Sequence, residues 1–223
     1  MTQIPLEYIE NAISWMKREG HIDLKRIGIY GRSKGGELAL LAASLFPELK
    51  CVAANTPSCY VQEGFIAGKG TSGHSSWCYQ GKEIPYVKGS LTGILCLLLG
   101  MLRKDPFAFR RFYEVNTWKG SRPKFTDARI RLENSRAAFL LLSSDTDGIW
   151  PSDRYTKEAW EQLKQQGKGK SVRSLCYSGS GHMLTLPYQP IPNCREYGGT
   201  IQKAIPATIK AWKETVDFFM KFL

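Results

Sequence analysis

The chain alternates apolar runs with helix-patterned segments. This order predicts an α/β protein, a parallel sheet carrying helices on both faces. Three observations lead there. Four short runs, 27–30, 49–57, 137–145 and 172–179, are largely apolar and lack the strict polar alternation of a half-exposed strand. Segments with apolar residues three or four apart lie between them. The first run ends in a glycine-rich turn that opens directly into an Ala/Leu-rich segment.

The elements follow in order. Pro5 precedes Leu6, Ile9, Ile13 and Met16, which form one helix face, and Gly20 stops it. KRIGIYGRS is the first strand, and GGELALLAASLF is a strong helix closed by Pro47. LKCVAANTP, AAFLLLSSD and VRSLCYSG are the second, third and fourth strands. A helix over 152–166 starts behind Pro151. The last helix is expected over about 207–222, with Ile209, Trp212, Val216 and Phe219 on one side. Residues 58–133 break the alternation and are too long for a plain loop. They read as a cap-like insertion over the strand ends, where such a fold keeps its active site, within one domain spanning 1–223. Inside the insertion, 89–102 is apolar nearly all round, which predicts a helix buried under a cap or lining an acyl-chain pocket, with Leu98 and Leu99 as candidate contacts.

Composition narrows the function classes. With 43% hydrophobic and 23% charged residues, 223 residues suffice for one sizeable core, and a disordered chain is excluded. No apolar run reaches the ~18 residues of a membrane span. MTQIPLEYIE does not read as a signal peptide, so the cytoplasm is the default compartment. The net charge of +11 favours anionic partners. The basic residues are scattered, however, and no nucleic-acid module is present, so a solvated basic surface is expected and a phosphorylated small molecule stays open. The six cysteines show no CxxC and no zinc spacing, and are read as reduced thiols with no metal or cofactor. Cys51 and Cys176 read as small buried hydrophobes.

The chemistry gathers at the strand ends. GRSKG is G-x-S-x-G between a strand and a helix, the context in which the motif places a nucleophile. The turn strains Ser33, and Gly31 and Gly35 let strand and helix approach. The helix N-terminus faces a developing oxyanion, with the Lys34 N–H as the expected donor. Serine needs a base. His21 lies in a polar connection and His74 in the insertion, while His182 follows the fourth strand in a loop made pliable by Gly179 and Gly181 and fits the order Ser, acid, His. After the third strand stand Asp145 and Asp147. Asp145 can cap the turn, and Asp147, farther out before Trp150 and Pro151, can reach the imidazole and is favoured as the acid on this geometry together with the family resemblance below.

GRSKGGELALLAASLFP, SSDTDGIWPS, YSGSGHMLTLPYQP and YGGTIQKAIPATIKAWKETVDFF resemble, in this order, the C-terminal domain of acyl-CoA thioesterases and bile acid-CoA:amino acid N-acyltransferases. The resemblance implies an α/β-hydrolase fold and a Ser33–Asp147–His182 triad acting on thioesters. The acyltransferase branch uses cysteine, so Ser33 points to hydrolysis of an acyl-CoA substrate. Oxygen esters, in a carboxylesterase or dienelactone-hydrolase manner, and an inactive interaction module are the alternatives. Relative to the family fold, the N-terminal strands and the loop with the second oxyanion donor have no counterpart in these residues. The backbone of 25–30 is therefore expected to form a bare sheet edge open to self-association.

Overall fold

A computed structural model describes residues 1–223 apart from 67, 69, 121 and 168. The chain runs β1 (Ile4–Pro5), α1 (Glu7–Arg18), β2 (Ile27–Arg32), α2 (Lys34–Leu45), β3 (Leu49–Asn55), β4 (Glu63–Ile66), β5 (Gly70–Ser75), β6 (Trp77–Tyr79) and β7 (Lys82–Glu83). It continues with α3 (Leu91–Leu102), α4 (Ala108–Thr117), β8 (Trp118–Lys119), β9 (Arg122–Pro123), β10 (Ala138–Ser143), α5 (Ser152–Gln165), β11 (Val172–Cys176) and α6 (Ile201–Phe222).

The four expected strands form one parallel sheet in the order β11-β10-β3-β2. Leu140 pairs with Ala53 on one side and Arg173 on the other. Side chains alternate across the sheet, so its two faces meet different helices. Val52, Ala54, Phe139 and Leu141 share one core with residues of α1, α2 and α5. Cys51, Ala53, Leu140 and Leu142 pack with Ala211 and Phe218 of α6. Burial on both faces is why β3 and β10 read as apolar runs rather than as alternating patterns, whereas the edge strand β11 has no fully buried residue. β2 lies at one end of the sheet, as expected from its sequence position.

The insertion between β3 and β10 holds two antiparallel pairs, β4–β5 and β6–β7, then α3, α4 and the β8–β9 pair. β1 pairs in parallel with β6, tying the start of the chain to this insertion.

Several expectations are corrected. Cys176 is exposed, because β11 is an edge strand whose outer residues have no neighbour in the sheet, whereas Cys51 is buried. α6 starts at Ile201 and carries Pro206 inside it. Thr200 caps the first turn, accepting from the Lys203 N–H. The side of α6 with Ile209, Trp212 and Val216 is exposed. The helix instead buries Ala204, Ala207, Ala211 and Thr215 together with Phe218. α3 is not buried all round, since only Gly93 and Gly100 are fully covered. Its Leu98 and Leu99 are exposed, not in a pocket.

Candidate active site

The turn from β2 into α2 is set by close packing. A Cβ on Gly31 would overlap the Gly35 carbonyl, and one on Gly36 would meet Asn55 O at 3.1 Å. Gly35 itself faces open space, so Gly31 and Gly36, rather than Gly35, permit the approach of helix and strand. Ser33 sits at the turn with φ 55°, a sparsely populated conformation for a non-glycine residue. Its N–H donates to Asn55 O at 2.8 Å. Ser33 holds the N-cap position of α2, yet its hydroxyl makes no capping bond. It points to His182, with 2.8 Å between Ser33 Oγ and His182 Nε2. Lys34 opens α2, so its backbone N–H has no partner within the helix.

His182 lies in a loop between β11 and α6, and Gly179 and Gly181, both just before it, have positive φ. The His182 N–H donates to Tyr197 O at 2.8 Å. Trp150 packs edge-on against the ring, with centroids 5.9 Å apart. His182 Nδ1 is 2.9 Å from each Asp147 carboxylate oxygen. Asp147 is buried, and its Oδ1 also accepts from the N–H groups of Ile149 and Trp150 at 3.0 and 3.2 Å. These donors aim the carboxylate at the imidazole. Of the two candidate acids, Asp147 therefore meets His182. His21 is exposed, and His74 is paired at the surface with Glu83 at 2.6 Å.

Asp145 has a different place. It is exposed and accepts from Ser178 Oγ at 2.7 Å and Gly179 N–H at 2.9 Å, holding the loop that leads to His182. Burial raises its pKa, but hydrogen bonds led by the Gly179 N–H and the Ser178 hydroxyl, with backbone donors of 145 and 146, outweigh that and hold it below the ordinary aspartate value. A carboxylate with a depressed folded-state pKa stabilises the fold above the unfolded-state pKa, and the contribution fades as pH falls through the folded value. Asp145→Asn should therefore lower stability at neutral pH, and the gap to the wild-type chain should close below about pH 3.9, the ordinary aspartate value. Denaturant titrations at neutral and acidic pH measure it. A gap of constant size would show that the tether does not depend on the charge.

Two further residues hold the site, and neither was singled out from sequence. Glu37 is fully buried one turn into α2. It accepts from Lys34 Nζ at 2.8 and 2.9 Å, Trp77 Nε1 at 2.8 Å and Gln62 N–H at 3.2 Å. Burial pushes its pKa up, and Lys34 partly offsets that. Burial pushes the Lys34 ammonium down, with Glu37 opposing. A signal was present: Glu37 is the one charged residue of the 35–46 apolar helix. Arg110 of α4 donates to the carbonyls of Asp145 and Asp147 at 3.2 and 3.3 Å, and pairs with Asp153 at 2.9 Å. It clamps the acid loop from the insertion. No feature of the local sequence marks it.

Ser33 opens on a cavity of about 620 Å³. Its walls are mainly apolar, including Ile94, Leu97, Phe112, Tyr113 and Trp150, with Lys34 near the serine. α3 contributes Ile94 and Leu97 to this wall, in place of the expected Leu98 and Leu99.

The strand–serine–helix turn, the parallel sheet and the loop-borne acid and histidine define an α/β hydrolase. Solved structures agree on that fold. The chain superposes on Pyrococcus horikoshii acylaminoacyl peptidase with TM-score 0.55 and 17% identity, covering 97% of this chain and 27% of that one. For a Pyrococcus furiosus esterase the TM-score is 0.51 and the identity 16%, covering 96% and 60%.

Within that class the chain belongs to the BAAT / acyl-CoA thioester hydrolase C-terminal family, whose model matches residues 4–223. Among relatives, human acyl-coenzyme A thioesterase 2, mitochondrial, is 29% identical over 234 residues, covering 100% of this chain and 44% of that protein. Human acyl-coenzyme A thioesterase 1 is also 29% identical, covering 100% and 50%. Mouse peroxisomal succinyl-coenzyme A thioesterase is 26% identical, covering 99% and 49%. The chain thus spans about half the length of the curated relatives it matches. Their names include mitochondrial and peroxisomal forms, so kinship does not favour the expected cytoplasm over an organelle. Among the described residues, no helix is long and apolar enough to cross a membrane.

Proposed function

We propose that the chain hydrolyses acyl thioesters, acyl-CoA in particular, through an acyl-serine intermediate. The observation that carries this reading is the hydrogen-bonded line from Ser33 Oγ through His182 to Asp147, opening on an apolar cavity. The thioesterase relatives support the choice of substrate class.

In this reading His182 Nε2 takes the Ser33 proton as Oγ attacks the carbonyl carbon. Asp147 fixes the Nδ1–H tautomer and stabilises the imidazolium. The carbonyl oxygen becomes an oxyanion, met by the Lys34 N–H and the positive end of α2. Collapse breaks the C–S bond, and His182 hands its proton to the leaving thiolate. A water then attacks the acyl-serine and gives its proton to His182. The free acid departs as that proton returns to Ser33 Oγ.

A fluorophosphonate probe should label Ser33, and acyl-CoA should be turned over in preference to a p-nitrophenyl ester of the same acyl group. Preference for the oxygen ester would replace the thioester reading. An unlabelled Ser33 would remove the nucleophile.

The cavity takes the acyl chain in this proposal, so the wall contributed by α3 sets its length. Leu97→Trp should lower kcat/KM for long acyl chains about tenfold or more relative to short ones, since each excluded methylene forfeits binding worth ~1–3 kcal/mol. An acyl-CoA length series reads this directly. A uniform loss across lengths would make Leu97 a packing residue only.

A further inference from the structure

α3 presents three different sides. Toward α4 it places glycines: a Cβ on Gly100 would lie 2.6 Å from Ala108 Cβ, and one on Gly93 would lie 2.5 Å from Asn116 Oδ1. Toward the cavity it places Ile94 and Leu97. Toward solvent it places Leu91, Leu95, Leu98 and Leu102, which are 87, 56, 53 and 79% exposed. At 3.6 residues per turn these four fall within roughly 60° of one another, a single row along the helix. Met101 and Leu99 flank the row and are also exposed.

A row of exposed leucines of this size is not solvated surface, since large exposed apolar patches mark contact sites. Its surroundings identify the occupant. α3 has no charged residue, but exposed Lys88 precedes it and exposed Arg103 and Lys104 follow it. None of these three is in an ion pair among the described residues. The nearest acid in sequence, Asp105, is engaged by Arg111 at 2.6 Å. Lys88 lies 5.8 Å over the Tyr86 ring but meets no carboxylate, so an apolar stripe with cations free of anions at both ends matches an interface that is apolar below and anionic at its surface. A second copy fits poorly. Antiparallel pairing sets Lys88 beside the partner's Arg103 and Lys104, and parallel pairing sets like ends together, so cations meet cations either way.

We propose that α3 is an interfacial helix that seats this protein on lipid leaflets containing anionic headgroups. At about 18 Å it is too short to cross a hydrocarbon core of ~30 Å and lies in the plane of the interface instead. Its Leu91–Leu95–Leu98–Leu102 row enters the acyl boundary, while Lys88, Arg103 and Lys104 sit among headgroups. The same helix walls the cavity, so a leaflet on its outer side lies about one helix diameter, ~10 Å, from that cavity. The inference rests on the surface of α3 alone and stands apart from the chemistry at Ser33.

Co-sedimentation with phosphatidylcholine vesicles, with and without phosphatidylserine, tests it. The chain should pellet with the anionic vesicles and be released by salt. Leu95→Glu/Leu98→Glu should weaken that binding at least tenfold without lowering the thermal midpoint, because both side chains are exposed. Lys88→Gln/Arg103→Gln/Lys104→Gln should erase the preference for anionic over neutral vesicles, at roughly fivefold for each charge removed. No vesicle binding by the wild-type chain would overturn the proposal, as would undiminished binding by the double glutamate variant. Light scattering that shows a dimer dispersed by the glutamates, with no vesicle binding, would assign the row to a second copy instead.

Discussion

Ser33→Ala should lower thioester turnover by about 10⁴–10⁶-fold, because a nucleophile and its base act as a unit and little remains when one is missing. The serine is only half-buried and its φ of 55° is set by the turn, so the methyl group should leave the fold intact. His182→Ala should cost a comparable factor, and combining the two should cost little more than either alone. Asp147→Ala should be somewhat milder, since it removes the orienting partner rather than the proton carrier. Asp145→Ala is the control that gives the series its meaning. Asp145 binds Ser178 and Gly179 rather than the imidazole, so its loss should cost far less. Steady-state kinetics on one acyl-CoA, with fluorophosphonate labelling of each variant, measures the series. Wild-type rates in Ser33→Ala would end the serine mechanism. A larger loss at Asp145 than at Asp147 would reassign the acid.

Much of this arrangement is readable without coordinates, for a physical reason. A parallel strand covered on both faces must be apolar on both faces, so 27–30, 49–57 and 137–145 stand out as runs, and the residues just after them lie at the strand ends where ligands bind. That placement points to Ser33 and to the Asp145/Asp147 pair, and the order Ser, acid, His points to His182. What escaped depends on contacts distant in the chain. Glu37 is held by Gln62 and Trp77 of the insertion, and Arg110 reaches the acid loop from α4. α3 misled because an all-round apolar segment has no periodicity to reveal which side faces out. Its glycines, placed against Ala108 and Asn116, were the cue to its inner face. Pro206 made the last helix look shorter than it is, and the apolar side of that helix is exposed while its small residues pack on the sheet. Cys176 sits in a strand-like run, but only the sheet order shows that the run is an edge.

Glu37→Leu should destabilise the chain by about 3–5 kcal/mol, the cost of removing one partner of a buried ion pair. The loss is not confined to the charge. Trp77 Nε1 and the Gln62 N–H lose their acceptor as well, and each unsatisfied buried donor costs about 1–3 kcal/mol. Lys34 limits the total, because its side chain is 21% exposed and can turn toward the cavity to regain water. At about 2–4 °C per kcal/mol for a chain of this size, the thermal midpoint should fall by roughly 6–20 °C. The second variant separates charge from packing. Lys34→Met/Glu37→Leu removes both ions, leaves the Lys34 backbone N–H in place, and should recover part of the stability, since apolar replacement of a whole buried pair is often neutral. The kinetic consequence is just as specific. Glu37 joins the first turn of α2, where Ser33 and the Lys34 N–H are set, to residues 62 and 77 of the insertion. Releasing that tie should lower kcat more than it raises KM even well below the midpoint, if the Lys34 N–H is, as proposed, the donor that meets the oxyanion only in the transition state. Thermal unfolding and kinetics on the single and double variants check both parts. A midpoint within about 2 °C of the wild-type chain, which corresponds to less than ~1 kcal/mol, would mean that Glu37 is not the tie between α2 and the insertion.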